Sequence, residues 1–201
     1  MAWGVNLLEN VVTPGSFTES EKRDLVVASI ACKYTQSNSV VYALNGQTVG
    51  VGAGQQSRVD CVKLAGRKVD TWWLRQHPKV QGLKFVVGTK RQERVNARVA
   101  YIDGVARGSP EEEAFLALLS EVPEPLTDEE KAAWVQGGEL TSVCASSDAF
   151  FPFRDSIDQL ARHGVRAIVQ PGGSVQDESV TEACKAYGMV MAHSGVRLFH
   201  H

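Results

Sequence analysis

Cysteine is scarce here, and no two cysteines stand together: Cys32, Cys61, Cys144 and Cys184 are isolated in a chain of 201 residues. Without a CxxC pair the pattern fits reduced thiols in a cytoplasmic protein better than a disulfide framework or a zinc ribbon. Charge of one sign is also lacking. A net charge of −2 and a pI near 6.2 offer no general surface for nucleic acid or membrane. No apolar run approaches the roughly 18 residues of a membrane span, and no signal-peptide pattern opens the chain. There is no low-complexity tract and no internal repeat. Gly50-Val51-Gly52-Ala53-Gly54 misses the GxGxxG spacing and follows a hairpin strand, which argues against a dinucleotide site. No HExxH and no HxE…PCxxC occurs, and His193, His200 and His201 make at best half a metal site, so no zinc is expected.

What is present reads as an α/β chain. Residues 1–16 look like an edge strand closing on a Pro-Gly turn, followed by a capping box at Thr18–Glu21 and an amphipathic helix to about Cys32. Two β-branched runs flank Asn45-Gly46 and predict a hairpin. Helices are expected over 57–74, stopped by Pro78, and over 90–102. Two short acidic helices should follow, at 111–121 and 127–136, within an acidic insertion of about 104–138. The last third alternates strand and helix (LTSVCAS, RDSIDQLARHG, VRAIVQ, VQDESVTEACKAYG, MVMAHS), which predicts parallel strands with crossover helices.

Ligands of such sheets bind beyond the carboxyl ends of the strands, where SSDAFFPFRD, PGGSVQD and HSGVRLFHH should gather. Phe150, Phe151 and Phe153 could seal the core or, interrupted by Pro152, form a partly exposed stacking platform. Asp155 is placed either to open a helix or to face the N–H groups of a planar heterocycle. Pro171–Ser174 could offer backbone N–H groups to an anion or carbonyl, though glycine is often needed there for geometry alone. Between a helix and a strand, KYTQSNS is too polar for core. Its Asn38 carries the paired donor and acceptor that read an amide, or else makes local turn contacts. Arg58 opposes the positive end of a helix dipole, and a ligand anion there would offset that cost.

KYTQSNSV, NGQTVGVGAGQQSR, WWLRQHP, SSDAFFPFRD, PGGS and VRLFHH together resemble the AICAR transformylase part of the bifunctional purine-biosynthesis family, in its C-terminal half. The resemblance implies a cytidine-deaminase-like three-layer sandwich, with a mixed sheet flanked by helices and no zinc. The whole chain would be one such unit, the second half of the transformylase. It implies formyl transfer from 10-formyltetrahydrofolate to AICAR ribonucleotide. Asn38, Arg58, Phe150 and Arg197 would then bind the nucleotide, with Asn38 positioning its carboxamide. Val59, Asn96, Phe153, Asp155, Ser174 and Val175 would take the folate. Thr35, Ser37, Ser39 and Asp148, with the terminal LFHH, would form a monovalent-cation pocket for potassium. The family's catalytic Lys-His pair belongs to the first unit of its tandem. No KH dipeptide occurs here, and neither Lys90-Arg91 nor Arg162-His163 takes its place. Three readings stay open: a transformylase polypeptide completed by a homodimer or a complementary transformylase/cyclohydrolase subunit, a non-catalytic nucleotide- or folate-binding module, and a structural half of a longer enzyme.

Overall fold

The computed structural model describes residues 6–137, 140 and 142–200, which fall into two units, 1–69 with 138–201, and 70–137. The first unit is organised by a sheet of five strands in the order β2-β1-β3-β4-β5: β1 (Val40–Leu44), β2 (Gln47–Gly52), β3 (Val143–Ser147), β4 (Val165–Gln170) and β5 (Val190–His193). β1 runs antiparallel to both β2 and β3, while β3, β4 and β5 are parallel, so the sheet is mixed. The last-third rhythm is thus realised as two parallel crossovers, through α7 (Asp155–Ala161) and α8 (Asp177–Ala186). The intervening helices, in chain order, are α1 (Glu19–Lys33), α2 (Arg58–Leu74), α3 (Pro78–Gln81), α4 (Arg91–Asp103), α5 (Pro110–Leu116) and α6 (Asp128–Gln136).

Alternation along the strands assigns the two faces of the sheet. Val41, Ala43, Cys144, Ala167, Val169, Val190 and Ala192 point to the side where Leu25, Ala28 and Cys32 of α1 pack. Tyr42 and Met191 point to the other side, where the Tyr42 hydroxyl donates to the Val62 carbonyl of α2 and Cys184 of α8 lies against Met191. Gly50 and Gly52 let α2 come down directly on β2. A Cβ at either would collide with the carbonyls of Ala65 or Cys61. α1 begins on the expected capping box, with the Thr18 and Glu21 side chains each accepting the other's backbone N–H. The hairpin also forms as expected. Its turn is held by the buried Asp24 carboxylate of α1, which accepts the Asn45 and Gly46 N–H groups at 2.8 and 2.6 Å.

The second unit is helical. Leu74, Val80, Leu83, Ala97, Tyr101, Ile102, Phe115, Leu119 and Leu126 form its core, with Tyr101 stacked on Phe115. Trp73 and Trp134 each donate their indole N–H to the other's backbone carbonyl, and His77 packs edge-on against Trp134.

Three local expectations differ from the structure. The opening segment, described from residue 6 onward, is a 3-10 turn at Asn6–Leu8 and a single antiparallel bridge from Val11 to Ala192. Its alternation is too short to sustain a ladder. Pro78 does not stop α2, which ends at Leu74; it stands at the first position of α3, capped by His77 Nδ1, where a missing N–H costs nothing. The first acidic helix ends at Leu116 rather than near 121. Leu118 and Ser120 pair by backbone with Val86 and Lys84, which takes the chain out of helix.

Candidate functional site

Parallel β3, β4 and β5 all end at one edge, and the loops leaving them are tied together by hydrogen bonds. Ser194 N–H donates to the Gln170 carbonyl, Gly195 N–H to the Pro171 carbonyl, and Leu198 N–H to the Asp148 carbonyl at 2.8 Å. The expected convergence of SSDAFFPFRD, PGGSVQD and HSGVRLFHH is therefore present in the first unit, for the residues described; His201 lies outside them.

At the centre is Asp148, fully buried. Its Oδ2 accepts the Ser37 hydroxyl at 2.5 Å, and its Oδ1 faces the Arg58 guanidinium in a buried ion pair. Arg58 Nη1 also donates to the Ser39 carbonyl at 2.9 Å, and Nη2 to Asn38 Oδ1 at 3.1 Å. Asn38 Nδ2 in turn donates to the Gln55 carbonyl at 3.0 Å. The Asp148 carboxylate therefore supplies the anion that Arg58, on the first turn of α2, requires. Both polar atoms of the Asn38 amide already hold protein partners. Such a chain is stable only when every member is satisfied, because each unpaired buried group costs its full desolvation.

The hydroxyls of the residues suggested for a cation all hold protein acceptors. Ser37 meets Asp148, but the Thr35 hydroxyl donates to the Ala31 carbonyl and the Ser39 hydroxyl to the Cys32 carbonyl. Among the described residues, no three His, Cys, Asp or Glu side chains gather as metal ligands. Nor is any thiol here activated. Burial, followed by the nearby Asp148 charge, pushes Cys32 up to about 12. Burial also raises Cys61, against the opposing effect of Arg58.

The three phenylalanines part company. Phe151 is fully buried and belongs to the core; Phe153 is 60 % exposed; Phe150 is half-buried, with the exposed Arg197 guanidinium 5.7 Å from its ring centre and 6.0 Å from that of Phe199. Phe150 and Arg197, distant in sequence, are brought together. Asp155 is the first residue of α7 rather than its cap. It is exposed and accepts only the Ser156 hydroxyl, at 3.3 Å. Val175 is 98 % exposed on the loop before α8, and the Ser174 hydroxyl accepts the Gln176 N–H. The glycine turn is less open to anions than its sequence suggests, since Asp177 already takes the Gly173 N–H at 2.7 Å. Val59 is half-buried on the first turn of α2. Asn96 lies in the second unit, exposed on α4, where Gln92 donates to its Oδ1.

Sequence reasoning missed Gln170. It is a fully buried amide whose Oε1 accepts the Phe151 N–H at 3.0 Å, while its Nε2 lies 3.1 Å from His193 Nε2. A polar residue closing the apolar strand VRAIV was the available signal.

A mixed sheet flanked by helices, with an aromatic and charged cluster at the carboxyl ends of its parallel strands, defines an α/β unit. Residues 5–68 match the family model of the AICARFT/IMPCHase bienzyme. Bifunctional purine biosynthesis proteins PurH from Neisseria gonorrhoeae (strain NCCP11945) and Neisseria meningitidis are 30% and 31% identical over 95% of this chain, and that from Aquifex aeolicus is 31% identical over the same share. The chain spans about a quarter of the length of these curated relatives (24% to 25%), so it is similar to one part of the PurH bienzyme, as its motifs imply. No helix among the described residues is long and apolar enough to cross a membrane.

Proposed function

We propose that this chain is a nucleotide- and folate-holding unit of an AICAR transformylase, of cytidine-deaminase-like fold, acting in purine biosynthesis in the cytoplasm. The observation that carries this reading is the Phe150–Arg197 pair, which stands beside the Asp148–Arg58–Asn38 chain in a protein similar to PurH. The half-buried Phe150 ring suits one face of the AICAR base, and the exposed Arg197 guanidinium suits the nucleotide's anionic end. Arg58 and Asn38, already paired, serve by holding their loops in shape, with Asn38 lending its remaining acceptor capacity to the carboxamide. On the folate side, Phe153 and Val175 supply exposed apolar surface, and Val59 and Ser174 are assigned to the same ligand. Asp155 offers a carboxylate, still unspent on an N-cap, to the pterin N–H groups.

The reaction forms a bond between the 5-amino nitrogen of AICAR and the formyl carbon, and breaks the bond from that carbon to N10 of the folate. One amine proton must leave, and N10 must gain one. None of the residues assigned to the ligands here is a histidine or lysine, so that proton passes through groups supplied by a complementary subunit or a second copy. A binding-only role is the alternative, and the saturated Asp148–Arg58 pair favours it, since neither group is available as an acid or base.

Calorimetry with AICAR ribonucleotide and with 10-formyltetrahydrofolate tests the reading, followed by a formyl-transfer assay with and without the remaining part of a PurH relative. Binding of both ligands, with transfer only in the completed mixture, is expected. Transfer without binding residues from any partner would overturn the missing-base argument, and failure to bind either ligand would leave only a structural half-enzyme. Asp155→Ala should weaken folate at least about tenfold more than AICAR ribonucleotide, as loss of a charge-assisted hydrogen bond predicts.

A further inference from the structure

The orientation of the Gln170 amide can be assigned by its neighbours rather than assumed. Phe151 N–H can only donate, and Phe151 is fully buried, so the atom 3.0 Å away must be the amide oxygen. The other end of the amide is then NH2, a pure donor, 3.1 Å from His193 Nε2 and 3.6 Å from Met191 Sδ. A donor facing a ring nitrogen requires a lone pair on that nitrogen, and the neutral ring must therefore carry its proton on Nδ1. That nitrogen stands beside the glycine turn; a Cβ on Gly172 would lie 2.7 Å from it.

We propose that Gln170 is a positioning residue that clamps the three strand-end loops: it seats the aromatic loop through Phe151 and fixes His193 as the Nδ1–H tautomer beside the glycine turn. One buried side chain at the end of β4 thereby couples the loop carrying Phe150 and Phe153 to the end of β5. Leu, Met or Val at this position could fill the space but could do neither. The clamp itself needs no ligand. Its consequence for ligand binding, that it holds Phe150 and Phe153 in place, rests on the function proposed above.

Nitrogen NMR of the histidine rings in the intact chain, at a pH where they are neutral, reads the clamp directly. His193 should show a protonated Nδ1 and a lone-pair Nε2; the reverse pattern would overturn the proposal. Gln170→Glu replaces the donor by a second acceptor while retaining the Phe151 bond, and should move the ring proton to Nε2. A folded Q170E with an unchanged tautomer would also overturn it. Should Q170E not fold, Gln170→Met serves in its place. Its His193 should populate both tautomers and its Phe151 amide should exchange about tenfold faster, the loss of roughly one buried hydrogen bond. A Q170M protein with wild-type tautomer and exchange would count against the clamp. If Q170E and Q170M shift the ring as expected but no variant or wild type binds nucleotide or folate, the clamp stands and the ligand reading fails.

Discussion

The two units handle charge in opposite ways. In the first, Asp148 and Arg58 are sealed beneath the loops of the sheet, with side chains 0% and 7% exposed, and they hold hydrogen bonds to Ser37, Ser39 and Asn38. In the second, the core is wholly apolar and aromatic, and the shortest ion pair among its described residues, Lys79 with Glu130 at 2.6 Å, stays near the surface where water shares the charge. The second unit could lose its ion pairs and keep its packing. In the first unit, losing one member of the buried chain strands the rest. Such an arrangement adds little stability over an apolar core, yet breaking it by removing one partner is costly.

The largest effect should come from breaking the buried pair. Asp148→Ala leaves Arg58 uncompensated and should cost about 3–5 kcal/mol in urea unfolding. The double variant Asp148→Leu with Arg58→Met should recover most of that loss. Equal losses in the single and double variants would show that packing, not charge, dominates there. Next, Trp134→Ala removes half of the reciprocal indole pair from the second unit and should cost about 2–3 kcal/mol, read by unfolding and by loss of Trp73 fluorescence shift. An effect as large as that of Asp148→Ala would erase the contrast between the units. Smaller again, Thr18→Ala removes the α1 cap and should cost about 1 kcal/mol by the same unfolding assay.

The smallest effect is a pH dependence confined to the second unit. Burial holds His77 below its ordinary value, and its Nδ1 accepts the Lys79 N–H that opens α3. The unfolded chain binds this proton more readily than the folded one. The contribution is therefore complete above the ordinary histidine value near 6.5 and declines as pH falls below it. The protection factors of the Lys79 and Val80 amides, exchange rates normalised to the unfolded chain, should fall as pH drops from 7 to 5. His77→Asn, which can still cap, should abolish that dependence.

Much of this was legible in the residues. Thr18–Glu21, Asn45-Gly46 and the strand–helix alternation after residue 143 act through local geometry, so their elements appear where the sequence places them. The site was legible as a set of loops, and only partly as roles. Phe150 and Arg197 meet as a pair, but nothing in SSDAFFPFRD says which of three rings is core, because that depends on which one the tertiary fold buries. Arg58 reads as a free cation until the fold brings up Asp148, 90 residues away. The same holds for Asp24, which looks like an ordinary helix acid and serves the hairpin turn.

By itself, then, the sequence determined the element order, the parallel crossovers and the edge of the sheet where the loops gather, because capping, turn chemistry and periodicity act over a few residues. Only the tertiary structure decided which polar groups are spent on one another. The Asp148–Arg58–Asn38 chain and the Gln170 clamp join residues from separate strands and loops. Their largely buried donors and acceptors must be matched to one another, and no local signal records that matching.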